Sequence, residues 1–206
     1  MDLHADVPGA TPPDDLSGLR IKGDRSRAGV NKAEFENMVL AMVKYLARRP
    51  TRRMAPFTRQ WMLKLHKEAF GRVWTWAGKI RKSEKNIGLP PEQVASALEN
   101  LAGDLHYWRE HKSMDLQEQA ALLHWRAAMI HPFENCNGRW ARLLTNIWLK
   151  QNGGPVVVWP EESIAETTSV IRSEYIKALQ AADAGDHETL MELHKRHLEA
   201  KNSSQI

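Results

Sequence analysis

The run His131-Pro132-Phe133-Glu134-Asn135-Cys136-Asn137-Gly138-Arg139-Trp140-Ala141-Arg142 sets an imidazole before a short loop of small and polar residues and two guanidinium groups after it. A loop ending in Asn-Gly and leading into a helix turns several backbone N–H groups toward an anion, and the helix dipole adds partial positive charge. Arg139 and Arg142 are three residues apart, so both can leave the same side of the first helical turn and fork phosphate oxygens. His131 can serve as a base near neutral pH. Together these are the parts of a site that handles a phosphorylated ligand.

The run resembles the signature of the Fic family, His-x-Phe-x-(Asp/Glu)-Gly-Asn-Gly-Arg-x-x-Arg. His131, Phe133, Asn137, Gly138, Arg139 and Arg142 match in order and spacing. Phe70 to Arg81, with Trp74-Thr75-Trp76-Ala77-Gly78-Lys79-Ile80-Arg81, is similar to the family's Trp-Ala-Gly-x-x-Arg segment, and His124 sits where many members carry His. Gly9-Ala10-Thr11-Pro12, Lys85-Asn86-Ile87-Gly88 and Asn135 resemble a bacterial subgroup, mobile mystery protein B, which gives the chain a toxin–antitoxin-like context.

The resemblance implies transfer of a nucleotide phosphoryl group, most often AMP from ATP, to a Ser, Thr or Tyr hydroxyl of a target protein. His131 would take the hydroxyl proton. Cys136, Asn137, Gly138, Arg139 and Arg142 would bind the nucleotide, with both arginines on the β- and γ-phosphates. Phe133 would anchor the loop by burying its ring. Lys82, Ser83, Glu84, Lys85, Asn86, Ile87 and Gly88 would form a flap that docks the target segment along an exposed strand edge.

Two motif positions depart from the pattern. Asn135 stands where a carboxylate normally binds Mg²⁺, the cofactor expected with ATP; it is left as a weak metal candidate. At ~4 Å and an effective dielectric of ~20, one missing unit charge is worth about 4 kcal/mol. Glu134 could replace it only with a re-routed loop. Cys136 replaces a glycine and carries a cost if that position needs positive φ; a tolerated small residue is the reading favoured over a redox switch. These departures keep open a nucleotide-binding or interaction module without turnover, or an enzyme using another phosphoryl donor.

Many family members are restrained by a (Ser/Thr)-x-x-x-Glu-(Gly/Asn) helix whose Glu pairs with the second motif arginine. This chain has no Ser or Thr four residues before a Glu. Lys32 to Asn37 keeps the Glu-Asn end, which makes Glu36 a candidate partner for Arg142; a separate inhibitory protein is the equal alternative. His66 and His124 lie on apolar helix faces and read as hydrogen-bonded core residues.

The elements needed to hold this loop are helical. Three- and four-residue spacing runs from Asn31 to Ala47, Thr58 caps a helix carrying Trp61, Leu65 and Ala69, and Pro91 opens one striped by Val94, Leu98, Leu101 and Leu105. Asp115 caps a helix ending near His131, and the helix after the motif stops at Asn152-Gly153-Gly154. A further helix is expected from Pro160 to Ala182, and Asp186 caps the last. Val73 to Leu89 reads as a short hairpin. The fold class is therefore all-α, a Fic-type helical bundle with one β-hairpin flap. The expected division is an irregular arm over 1–29, the Fic-like domain over 30–185, and a C-terminal helix and tail over 186–206.

With 206 residues, 42% of them hydrophobic, and eight Trp and eight Met, the chain can bury a real core. The formal charge of +4 is mild, and the Arg48–Arg59 cluster reads as solvated surface, so nucleic acid is the least favoured partner. The single cysteine excludes an internal disulfide, the acidic start is no secretory signal, and no run reaches the ~18 apolar residues a bilayer requires. Cytoplasmic placement follows as the expectation.

Overall fold

The computed structural model describes residues 16–112, 114–165 and 169–198. Among them the elements are α1 (Arg27–Leu46), α2 (Arg59–Phe70), α3 (Pro91–His111), α4 (Leu116–Ile130), α5 (Asn137–Gln151), α6 (Glu161–Ala165), α7 (Val170–Asp183) and α8 (Glu188–Arg196). No helix among the described residues is long and apolar enough to cross a membrane.

Local chemistry starts most of these helices. The Ser26 hydroxyl accepts from Gly29 N, the Thr58 hydroxyl from Trp61 N, and the Asp115 carboxylate from Gln117 N and Glu118 N. Each side chain satisfies amides that have no intrahelical partner. Asp186 does the same for Glu188 and Thr189 at α8. Pro91 occupies the first position of α3, where its missing N–H costs nothing.

Helices α4 and α5 pack against each other at the centre, joined by the motif loop. On one side α1, α2 and α3 close a core built around Trp140, Trp148, Phe57, Phe70 and Met62, all of them fully buried. On the other side α7, α8 and the segment through Val157 and Trp159 close a second core against Ala120, Ala121 and Leu149. Because α8 contributes Leu190 and Leu193 to that second core, it is part of the packed body.

The structure departs from the sequence reading at three places. Val73 to Leu89 forms turns and bends, with no ladder pairing it to itself; its one bridge joins Trp74 to Leu19. The residue pattern there reflects anchoring: Trp74 and Ala77 are buried, and Arg81 is committed to carbonyls. The helix expected over Pro160–Ala182 is broken into α6 and α7, and residues 166–168 lie outside the described part. The arm expected over 1–29 is shortened by α1, which begins at Arg27. Its described portion lies on the body, with Arg20 N bonded to Val73 O and Thr75 N to Gly18 O, each at 2.8 Å. Residues 1–15 of the arm and 199–206 of the tail lie outside the described residues.

Since Asp115 supplies both side-chain bonds at the start of the central helix α4, Asp115→Ala is expected to lower stability by about 1 kcal/mol. That corresponds to a fall in Tm of roughly 2–4 °C for a chain of this size, readable by thermal unfolding.

Candidate functional site

Helix α4 stops because Pro132 has no N–H to extend it and disfavours helical backbone at the residue before it. His131 accordingly takes left-handed geometry, φ 49° and ψ 58°. The loop then closes on itself. Asn137 Oδ1 accepts from Phe133 N and Asn137 Nδ2 donates to Phe133 O, both at 2.9 Å. The Phe133 ring stacks on His66 with centroids 3.6 Å apart and meets the edge of Trp140. As expected, Phe133 is an anchor, fully buried.

His66 braces the loop from α2. Its Nδ1 accepts from Gly78 N at 3.0 Å, so its proton sits on Nε2, which donates to Asn135 O at 3.2 Å. Burial holds its pKa down to about 3. His66 and His124 are both buried and hydrogen-bonded, the core role read from the sequence.

Cys136 has φ 64°, the left-handed conformation that glycine adopts without cost, and it caps α5 with no side-chain hydrogen bond. Its thiol is bonded to Glu34 at 3.1 Å. Burial first, and the Glu34 carboxylate next, push the thiol pKa well up, the opposite of a reactive thiolate.

Around the start of α5 lies a cavity of about 610 Å³. His131, Asn137, Gly138, Arg139 and Arg142 all line it, as do Asn86 and Ile87 of the flap. Residues distant in sequence thus meet at one opening, which Asn137, Gly138 and Arg139 of the first turn of α5 help to line. Gly138 leaves room for the second arginine: a Cβ there would lie 3.3 Å from Arg142 Nη1.

His131 is only 7% exposed. Burial chiefly, with help from the charges of Arg81 and Lys85, lowers its pKa to about 4, against a hydrogen bond to the Ala128 backbone that works the other way. Its imidazole is therefore neutral at physiological pH.

The flap is held at both stems by one residue that the sequence reading did not single out. Arg81, 2% exposed, donates from Nε to His131 O at 2.6 Å, from Nη1 to Ser83 O at 2.7 Å, and from Nη2 to Leu89 O. Glu134 secures the outer side, accepting from Ser83 Oγ at 2.9 Å and from Lys85 Nζ at 2.8 Å. Gly88, at φ +99°, lies so close to His131 that an added Cβ would collide with the His131 Cβ. Lys82, Ser83, Glu84, Asn86 and Ile87 are exposed, whereas Lys85 and Gly88 are partly covered.

Both motif arginines are engaged. Arg139 pairs with Glu34 of α1, which is 2% exposed and also accepts from Trp74 Nε1 at 2.7 Å. Arg142, 3% exposed, makes a two-pronged contact with Glu161 of α6, its Nε lying 2.8 Å from Oε1. Glu36, one candidate partner for Arg142, instead lies on the outer face of α1, 65% exposed and 4.0 Å from Lys32. The helical period explains the shift: Glu34 shares its face with buried Val30 and Met38, two residues round from Glu36.

Two other expectations are corrected. The Asn137 side chain is committed to Phe133, so only its backbone remains for a ligand. Asn135 turns its Oδ1 onto Cys136 N at 2.7 Å, while Glu134 is held by Lys85 and Ser83. The loop therefore offers magnesium no free carboxylate, and its donors do not fit a protein-held Mg²⁺.

A family model described as Fic/DOC family matches residues 56–149. The chain carries a Fic/DOC domain. It is 35% identical over 147 residues to protein adenylyltransferase fic-1 of Caenorhabditis briggsae, covering 68% of this chain and 27% of that one. The chain thus spans about a quarter of the length of the curated relatives it matches. Fic-1 of Caenorhabditis elegans superposes with a TM-score of 0.64 at 26% identity, over 88% of this chain and 51% of that structure. BepC of Bartonella tribocorum, solved with bound AMPPNP, shares the fold with a TM-score of 0.64 at 18% identity, over 87% and 91%.

Two measurements test this site. Gly88→Ala is expected to lift the flap from His131, seen as a gain in amide exchange over residues 83–88 with little loss of global stability; unchanged exchange would contradict the packing. The buried histidines predict acid sensitivity. Unfolded, they titrate near 6.5, whereas His66 and His194 titrate at about 3 and His131 at about 4 in the fold. Below about pH 6.5 the unfolded chain takes up protons that the folded chain refuses, so stability falls as pH drops, by about 1.4 kcal/mol per unit for each group. Urea midpoints at pH 7, 6 and 5 should decline in that order.

Proposed function

We propose that this chain is a protein adenylyltransferase, moving AMP from ATP to a Ser, Thr or Tyr hydroxyl of a target protein. The observation that carries the reading is the convergence of His131, the start of α5 with Arg139 and Arg142, and the flap on one cavity. The adenylyltransferase relatives, 31–35% identical over 147 residues, support it.

The reaction needs a hydroxyl oxygen to attack the α-phosphorus of ATP, with its proton taken up by His131 and pyrophosphate leaving. A neutral imidazole is the required form of the base. The amides opening α5 stabilise the charge that builds on the phosphoryl oxygens, and Arg139 and Arg142 hold the leaving pyrophosphate. The flap, fixed against His131 through Arg81 and Gly88, presents the target segment to the imidazole. Because it is not a strand, docking rests on exposed flap backbone and side chains. A separate inhibitory protein is a further expected partner.

The Glu34 and Glu161 pairings and the inward turn of Asn135 favour a second reading, a module that binds nucleotide without turnover. Incubation with α-labelled ATP, Mg²⁺ or Mn²⁺ and host lysate separates the two. Label on a protein, reduced at least about 100-fold in His131→Ala, is expected for general-base loss; nucleotide binding with no label in either form identifies the module.

A further inference from the structure

The cavity carries more positive charge than its motif supplies. Arg172 of α7 and Arg27, the first residue of α1, line it together with Arg139 and Arg142. Glu34 and Glu161 neutralise the motif pair, but neither Arg27 nor Arg172 has a carboxylate partner among the described residues. Arg172 is half-buried. One of its terminal nitrogens, Nη1, donates to Ile164 O at 2.8 Å, and its Nε is shut off from solvent with no hydrogen-bond partner. A buried donor left unpaired on a charged group costs more than an ordinary hydrogen bond contributes. Burial, and then the like charges of Arg27, Arg142 and Arg139, press the Arg172 pKa down. Arg172 therefore feels three other guanidinium groups of the same cavity wall, to which Arg25 adds a fifth and Asp183 one carboxylate, and an anion of several charges in the cavity relieves that repulsion.

We propose that Arg172 and Arg27 form a polyphosphate subsite beyond the two motif arginines, which makes the cavity select ligands with a triphosphate tail over monophosphates. The proposal rests on the nucleotide-binding reading of the same cavity. It goes further by assigning tail recognition to α7 and to the start of α1, outside the motif loop. Two arginines from different helices add fork-shaped donors for a chain of tetrahedral groups to the amides that open α5.

The test is calorimetric titration of the full chain with three probes: an ATP analogue with a β,γ-imido bridge, AMP, and inorganic tripolyphosphate. Arg172→Gln is expected to weaken the analogue and tripolyphosphate at least tenfold while leaving AMP within about twofold. Arg172→Lys should recover part of that loss. Arg27→Gln changes an exposed side chain and so keeps the core intact; it should weaken the same two probes and spare AMP. Arg196→Gln, which removes a surface charge paired with Glu174, should change none of the three. Equal weakening of AMP and the triphosphates, or no weakening in either Arg27→Gln or Arg172→Gln, overturns the subsite. Normal binding by the unaltered chain in those cases leaves the proposed transfer reaction standing. If the unaltered chain binds none of the probes, both readings fail.

Discussion

Three backbone carbonyls, those of His131, Ser83 and Leu89, converge on the guanidinium of Arg81. A buried cation without a carboxylate is tolerable only when its donors are satisfied, and here each carbonyl comes from a segment that would otherwise be free to move. The clamp fixes both stems of the flap and the backbone of the residue that carries the imidazole. Arg81 N bonds to Pro132 O at 3.0 Å and extends the clamp along the loop. Much of the local geometry follows: Gly88 is pressed on His131, Glu134 can reach Ser83 and Lys85, and His131 is desolvated into a neutral imidazole.

The second organising feature is charge. Several arginines and few acids surround one cavity, and the carboxylates of Glu34 and Glu161 are spent on Arg139 and Arg142. Such buried pairs contribute little net stability, because desolvation offsets much of the attraction. Their consequence is for occupancy: an incoming phosphate must displace or share each carboxylate. Glu34 is the more consequential, because one carboxylate holds Arg139, Trp74 and Cys136 at once. It couples α1 to the motif loop, so ligand entry and the seating of α1 are linked. Arg142 is similarly tied to the second core, with its guanidinium over the rings of Tyr175 and Trp159.

The helices and the motif loop were legible because their signals are local. Ser, Thr and Asp caps, apolar spacing and Pro132 act within one or two turns, and the structure places most boundaries within a few residues of where those signals fall. Positive φ at Cys136 was readable from a glycine position filled by another residue. Reading a hairpin into Val73–Leu89 failed for a physical reason: Trp74 is drawn inward by Glu34 and Arg81 by the His131 carbonyl, both far off in the chain, with no strand to pair with. Breaking of the helix expected over Pro160–Ala182 was equally hidden, since Glu161 answers to Arg142 rather than to its own neighbours.

What the sequence determined by itself was the loop, its imidazole and its two arginines, because their order and spacing are covalent facts and the adjoining helix boundaries follow from backbone chemistry. Which carboxylates face those arginines was decided only by the packing of α1 and α6 against α5. Glu34 and Glu36 differ by two residues, hence by more than half a helical turn, and only the burial of the Val30–Met38 face selects Glu34. The same holds for Arg81, Arg27 and Arg172: the His131 carbonyl that Arg81 meets, and the cavity that Arg27 and Arg172 line, are brought to them by tertiary packing.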